Sequence, residues 1–105
     1  LKRQKKLMPP LSVLADPTRQ RIVEMLARGA LSSGEIARRF EASPPAISQH
    51  LRTLREAHLV RVRAQAQKRI YELDPAGVGE LSAWITRIQS FWSVKLDALE
   101  EELRK

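Results

Sequence analysis

The 105 residues contain no cysteine, which excludes a disulfide framework, a thiolate metal site and a cysteine nucleophile at once. Histidine is almost as scarce, with only His50 and His58. For each of them a hydrogen-bonding or packing role is expected ahead of metal ligation, so no metal site is expected. Glycine is limited to four residues, and no glycine-rich phosphate loop is formed from them. No pair of carboxylates converges with a histidine, and no nucleophile has a base at a telling spacing. An enzyme is therefore not expected, and neither is a cofactor. No apolar run approaches the roughly twenty residues needed to span a bilayer, and the opening LKRQKKLMPP lacks the apolar stretch of a secretory signal. A cytoplasmic protein with no membrane partner is the expectation. The sequence opens at Leu1 rather than Met, which leaves room for a short arm ahead of it.

What is abundant is positive charge, unevenly placed. Residues 1–74 hold fifteen Lys and Arg against seven Asp and Glu, whereas residues 75–105 hold four against five, so the front is +8 and the tail −1. A basic front with an almost neutral tail suggests that one part touches a polyanion and the other touches protein. The length suits one small domain, whose modest core a dimer would usefully enlarge.

The stretch 31–60, LSSGEIARRFEASPPAISQHLRTLREAHLV, reads as two short amphipathic helices separated by a tight break. Ser32 with Glu35 three residues later forms a capping box, and Ile36 and Phe40 give that helix, about 33–40, its buried face. Glu41 and Ala42 make the break. Ser43 then caps a helix over about 44–57, with Pro44 and Pro45 in its first turn, where missing amides matter little. Since Pro45 has no amide, Ser43 should cap through Ala46. Ile47, Leu51 and Leu54 share one stripe, and at about 100° per residue Pro45, Ser48, Gln49, Arg52 and Thr53 fall on the opposite face. Short polar and basic side chains on such a face suit a DNA major groove, although an ordinary solvated face would show the same pattern.

The flanks add to this. Upstream, Leu7, Leu11 and Leu14 share helical spacing, and Pro9 and Pro10 confine a first helix to about 10–15. Asp16 caps a second helix, 17–28, which starts at Pro17, buries Ile22, Val23 and Leu26 and stops near Gly29. Arg19 and Arg21 leave its core stripe, either to reach phosphate or to solvate the helix. Downstream, Val60 and Val62 alternate with Arg61 and Arg63, and Ile70 alternates with Tyr71 beyond an AQAQ tip. This is a hairpin over about 59–73, although no strong turn pair marks the tip. Its Arg63, Gln65, Gln67, Lys68 and Arg69 suit phosphate or minor-groove contact.

The last third reads as one helix over about 76–103. Leu81, Ile85, Ile88, Trp92, Leu96, Leu99 and Leu103 step by 4, 3, 4, 4, 3, 4, a repeat of about 3.67 residues per turn that keeps the stripe nearly straight. Trp84 and Phe91 widen it. Such a helix reaches about 40 Å, longer than a small core can cover, so part of the stripe calls for a second chain. A helix folded back on its own domain is the alternative.

Four segments, LADPTRQRIVEML at 14–26, LSSGEIARRF at 31–40, SPPAISQHLRTLREAHLV at 43–60 and IYELDPAGVGEL at 70–81, stand together in an order and spacing that resembles the ArsR/SmtB family of winged helix-turn-helix repressors. The Phe91–Trp92 pair with LDALEEEL after it is similar to a cysteine-free subgroup without known metal ligands. The resemblance implies a mainly α fold with a small β-hairpin wing. It implies a homodimer held by the first and last helices, through Leu7, Leu11, Leu14, Leu81, Ile85, Ile88, Trp92, Leu96 and Leu99. One recognition helix per subunit would then enter successive major grooves of an imperfect palindrome in double-stranded DNA. Ser43, Pro45, Ser48, Gln49 and His50 match the family's DNA-facing segment, and Arg63, Lys68 and Arg69 its wing. Gln49 is the strongest candidate for base readout, since its amide can pair bidentately with adenine, while Arg52 and Thr53 suit backbone contact. The family's sensing sites do not carry over. Ser32 and Gly34 stand where its thiolate site has cysteines, and the tail offers Asp97, Glu100, Glu101 and Glu102 but no histidine. A transcriptional repressor is the leading expectation, with room for an unidentified small-molecule effector. The alternatives are a ligand- or metal-responsive sensor using a non-cysteine site and a winged-helix protein-interaction module.

Overall fold

The computed structural model describes residues 9–104; Leu7 of the expected interface lies outside them. Five helices and three strands follow in the order α1 (Pro9–Val13), α2 (Pro17–Ala27), β1 (Leu31–Ser32), α3 (Ser33–Ala37), α4 (Pro44–Glu56), β2 (Val60–Gln65), β3 (Lys68–Leu73) and α5 (Pro75–Leu103). Three of the helices start the same way, with a capping Asp or Ser followed at once by proline. Asp16 Oδ1 accepts from the Thr18 and Arg19 amides at 2.7 and 3.1 Å, Ser43 Oγ from Ala46 at 3.3 Å, and Asp74 Oδ1 from Ala76 at 3.0 Å. The Asp74–Pro75 cap starts α5 one residue ahead of the sequence expectation. The Arg19 amide bond holds the Asp16 carboxyl below its ordinary value.

The capping box of α3 is complete: Ser32 N–H donates to Glu35 Oε1 at 2.8 Å, and Glu35 N–H to Ser32 Oγ at 3.1 Å. Regular helix ends at Ala37, short of the expected residue 40. The Arg39 and Phe40 amides reach back only three residues, to Ile36 and Ala37, so the chain tightens before the break. Phe40 still packs against the core.

Ile22, Met25 and Leu26 of α2, Ile36 of α3, and Ile47, Leu51 and Leu54 of α4 are buried together with Leu59, Val60 and Tyr71. Val23 is only partly buried, and Met25 takes the place expected for it. The wing adds its inward side chains through the register Val60↔Leu73 and Val62↔Tyr71. A strand that the sequence did not suggest completes the sheet. β1 pairs with β3 (Leu31↔Tyr71, Ser32↔Ile70), giving the order β1-β3-β2. Two residues are too short for any alternation to register. The hairpin tip is also tighter than AQAQ, since Gln65 pairs with Lys68 and Ala66 turns the chain with φ 57°.

At the exit of α4, His58 has φ 60°. The His58 amide donates to Arg55 O at 3.0 Å and the Leu59 amide to Leu54 O at 3.0 Å, the paired bonds of a Schellman cap that usually places glycine where His58 stands. Its imidazole is exposed. Left-handed backbone is unfavourable for a residue with a Cβ by roughly 1 kcal/mol, so His58→Gly is expected to raise stability by about 0.5–1 kcal/mol in urea melts. A loss of stability would mean that the imidazole itself contributes to the fold.

Candidate nucleic-acid interface

With Ile47, Leu51 and Leu54 buried, α4 turns Pro45, Ser48, Gln49 and Arg52 outward, all of them exposed. Not every expected contact residue is equally available. Ser43 spends its hydroxyl on the helix cap. Thr53 is half-buried, and its hydroxyl donates to Gln49 O at 3.1 Å. His50 is half-buried too, and its Nδ1 lies 3.2 Å from Arg19 Nη1. A guanidinium has only donors, so Nδ1 accepts and the ring proton sits on Nε2.

This geometry gives Arg19 a role that neither of its two expected ones, phosphate contact or helix solvation, described. Its Nε donates to Val13 O at 2.8 Å while Nη1 meets His50, so Arg19 ties α1, α2 and α4 together. Arg21 lies 4.5 Å over the Phe40 ring, a cation–π contact.

On the wing, Lys68, Arg69 and Gln67 are exposed. Arg63 is partly engaged, bonded to Gln65 at 2.7 Å and 3.6 Å from Glu72. Glu72 also binds Arg61 at 2.9 Å, so one carboxylate offsets two arginines on the strand while the tip keeps its charge. Lys68 and Arg38 both contribute to lowering the Glu35 carboxyl, after the larger effect of its bonds to Ser32.

The fold also joins residues that helix-wheel reasoning left apart. Ser33, Ser48, Arg52, Arg55, Arg69 and Tyr71 line one cleft between α4 and the wing. Arg55 did not figure among the expected contacts because it lies on the edge of the helix rather than at the centre of its outward face. The spacing 48, 52, 55 was the available signal.

Of the expected dimer residues, Leu14 packs against the core and Leu11 and Leu81 are half-buried. Ile85, Ile88, Trp92, Leu96 and Leu99 are exposed, Trp92 at 57%. Among the described residues no helix is long and apolar enough to cross a membrane, and no three His, Asp or Glu side chains gather where they could hold a metal ion.

The sequence is 49% identical over 80 residues to the HTH-type transcriptional regulator Rv2034 of Mycobacterium tuberculosis, covering 76% of this chain and 72% of that protein. The profile of the family described as "Bacterial regulatory protein, arsR family" matches residues 16–62, from the cap of α2 into β2. The chain belongs to the ArsR family. A second relative, the transcriptional repressor SdpR of Bacillus subtilis, is 32% identical over 72 residues, 69% of this chain and 80% of that one. A crystal structure described as "Possible transcriptional regulator for arsenical resistance" superposes with a TM-score of 0.71 at 43% identity, over 91% of this chain and 97% of the other. This ArsR-family chain is thus a winged helix-turn-helix transcriptional regulator and not an enzyme.

Proposed function

We propose that this ArsR-family protein is a homodimeric repressor acting on DNA in the cytoplasm. Each protomer contributes one winged helix-turn-helix unit, with α4 in a major groove and the β2–β3 wing over the neighbouring minor groove. The two recognition helices of a dimer read the halves of an imperfect palindrome about one helical turn apart. The observation that carries this reading is the exposed Ser48, Gln49 and Arg52 face of α4, backed by a fully buried stripe and continued by the cationic wing. A face so rigidly held can present an amide to a base edge without first ordering itself. The unpartnered stripe of α5 supplies the second half of the argument, since a two-fold reader needs a two-fold contact.

Gln49 reads a base, while Arg52 and the wing cations Lys68 and Arg69 hold phosphates. Gln49→Ala is therefore expected to weaken a selected operator by about 1–3 kcal/mol and to relax one position of it, leaving random duplex nearly untouched. Lys68→Ala should instead weaken every duplex alike and flatten the salt dependence. Selection of the operator from a random pool, followed by titration of both variants on operator and scrambled duplex, makes the comparison. Equal losses on both duplexes for Gln49→Ala would remove it from the readout.

A further inference from the structure

Three guanidinium groups that have no side-chain partner among the described residues line one hollow. Arg52 and Arg55 of α4 and Arg69 of β3 line a cleft of about 270 Å³ together with Ser33, Ser48 and Tyr71. No carboxylate lines it, and among the described residues none of the three guanidinium groups forms an ion pair or a hydrogen bond, in contrast to those of Arg19, Arg61, Arg63 and Arg104. On α4 the residues Ser48, Arg52 and Arg55 step by four and three, which aligns them along the edge of the helix that flanks the wing. Tyr71 is only 6% exposed, so one wall belongs to the packed core. Three like charges around one concavity repel each other, and an anion placed among them relieves that repulsion. Forked guanidinium donors match the oxygens of a phosphate better than they match any single-point acceptor.

We propose that this cleft, which borders the base-reading face of α4 at Ser48 and Arg52, is a phosphate-binding site, and that Arg55 anchors it. Its natural occupant follows from the docking reading given above, on which the source of the phosphate rests. With α4 in the major groove and the wing over the next minor groove, the sugar–phosphate strand dividing the two grooves must pass between helix and wing. The cleft lies there, with α4 on one side and Arg69 of the wing on the other. One phosphodiester held by both elements would fix the angle between them and so set the register of Gln49 against the bases. A free phosphorylated compound offers the same oxygens and would compete for the same arginines.

The test uses Arg55→Gln and Arg55→Lys in the full chain, with a random-sequence duplex of about 24 base pairs, long enough for two half-sites. Arg55→Gln is expected to weaken binding about three- to tenfold and to lower the slope of log K against log salt by about 1. Arg55→Lys should keep the slope, since the charge remains, but lose affinity with the fork. Inorganic pyrophosphate at constant ionic strength provides the second arm, read as the melting temperature of the protein without DNA. Unchanged duplex binding in Arg55→Gln, with pyrophosphate raising the melting temperature of the parent but not of the variant, would keep the site and assign it to a free phosphorylated compound. Unchanged duplex binding with no such pyrophosphate effect would overturn the proposal. Failure of the parent protein to bind any duplex would sink the DNA reading by itself, and the pyrophosphate arm would then decide the site alone.

Discussion

Gly77→Ala is expected to destabilise the protein by about 3 kcal/mol, while Gly79→Ala, two residues further along the same helix, is expected to stabilise it. Gly77 lies in the first turn of α5, where its amide donates to His58 O at 2.8 Å. A Cβ built there would stand 2.3 Å from that oxygen, 2.6 Å from the His58 carbonyl carbon and 2.9 Å from Ala57 O. All three atoms are backbone, so no rotamer change can make room. α5 would have to lift away from the end of α4, losing the hydrogen bond and disturbing Leu59, which is fully buried. Overpacking of this kind costs roughly 1–3 kcal/mol, and losing the Gly77–His58 hydrogen bond adds about 0.5–1.5 kcal/mol. For a domain of this size the melting temperature should fall by more than about 10 °C. Around Gly79 nothing stands within 4 Å, so alanine there only gains helix propensity, about 0.5–1 kcal/mol. Thermal melts of the two variants side by side make the measurement; similar melting temperatures would contradict the close approach of α5 to the α4 exit.

If the proposed homodimer forms through α5, Trp92→Ala is expected to shift it from dimer to monomer at low micromolar concentration, raising the dissociation constant by about thirtyfold or more. Along α5, Ile85, Ile88, Trp92, Leu96 and Leu99 form an exposed apolar stripe with Phe91 beside it. An unpartnered run of that length on a helix of 29 residues marks an association surface. Trp92 is its largest member, and aromatic anchors near the middle of an interface dominate binding. Lys95 lies inside the stripe, with its ammonium 5.2 Å from the Phe91 ring. That position brings a charge into an apolar band, a device that favours one register of association over others. Because Trp92 contributes nothing to the buried core of one chain, its removal should leave the far-UV spectrum unchanged. An unaltered sedimentation profile would count against α5 as the dimer contact, and loss of helicity would show that the residue serves the single chain instead. A monomeric variant should also lose most operator affinity, since only paired recognition helices can engage both halves of a palindrome.

Much of the fold was legible because its determinants are local. The caps at Asp16, Ser32 and Ser43 involve donors two or three residues away, and the sequence even indicated that Ala46 would serve Ser43, since proline occupies the preceding position. The stripe Ile47, Leu51, Leu54 and the alternation of Val60 and Val62 with arginine are likewise periodicities that a short window reveals. What escaped notice was either too short or of the wrong residue type. β1 contains two residues. His58 and Ala66 adopt positive φ where glycine or asparagine is the usual marker, so neither turn announces itself. Phe40 reaches the core through a tightened turn rather than through regular helix.

The candidate interface divides in the same way. Helical geometry alone placed Ser48, Gln49 and Arg52 outward, because the buried stripe on one side of a helix dictates what the other side shows. It also placed Thr53 there, and the family resemblance added His50 and Ser43 to the same surface; only the folded chain sets these three apart. His50 meets Arg19, thirty-one residues earlier, Thr53 bonds back to Gln49, and Ser43 caps its helix.

The sequence by itself determined the element types, their caps, the inward face of each helix and the basic character of the front, because all of these depend on residues within a few positions of one another. The tertiary structure decided that Gly77, unlike Gly79, has no room for a Cβ, that Arg19 is a strut, and that Arg55 joins Arg69 around a cleft. Each of those depends on which distant segments approach each other, and that approach is set by how the α2, α4 and wing side chains fill one core, a global packing condition that no local window contains.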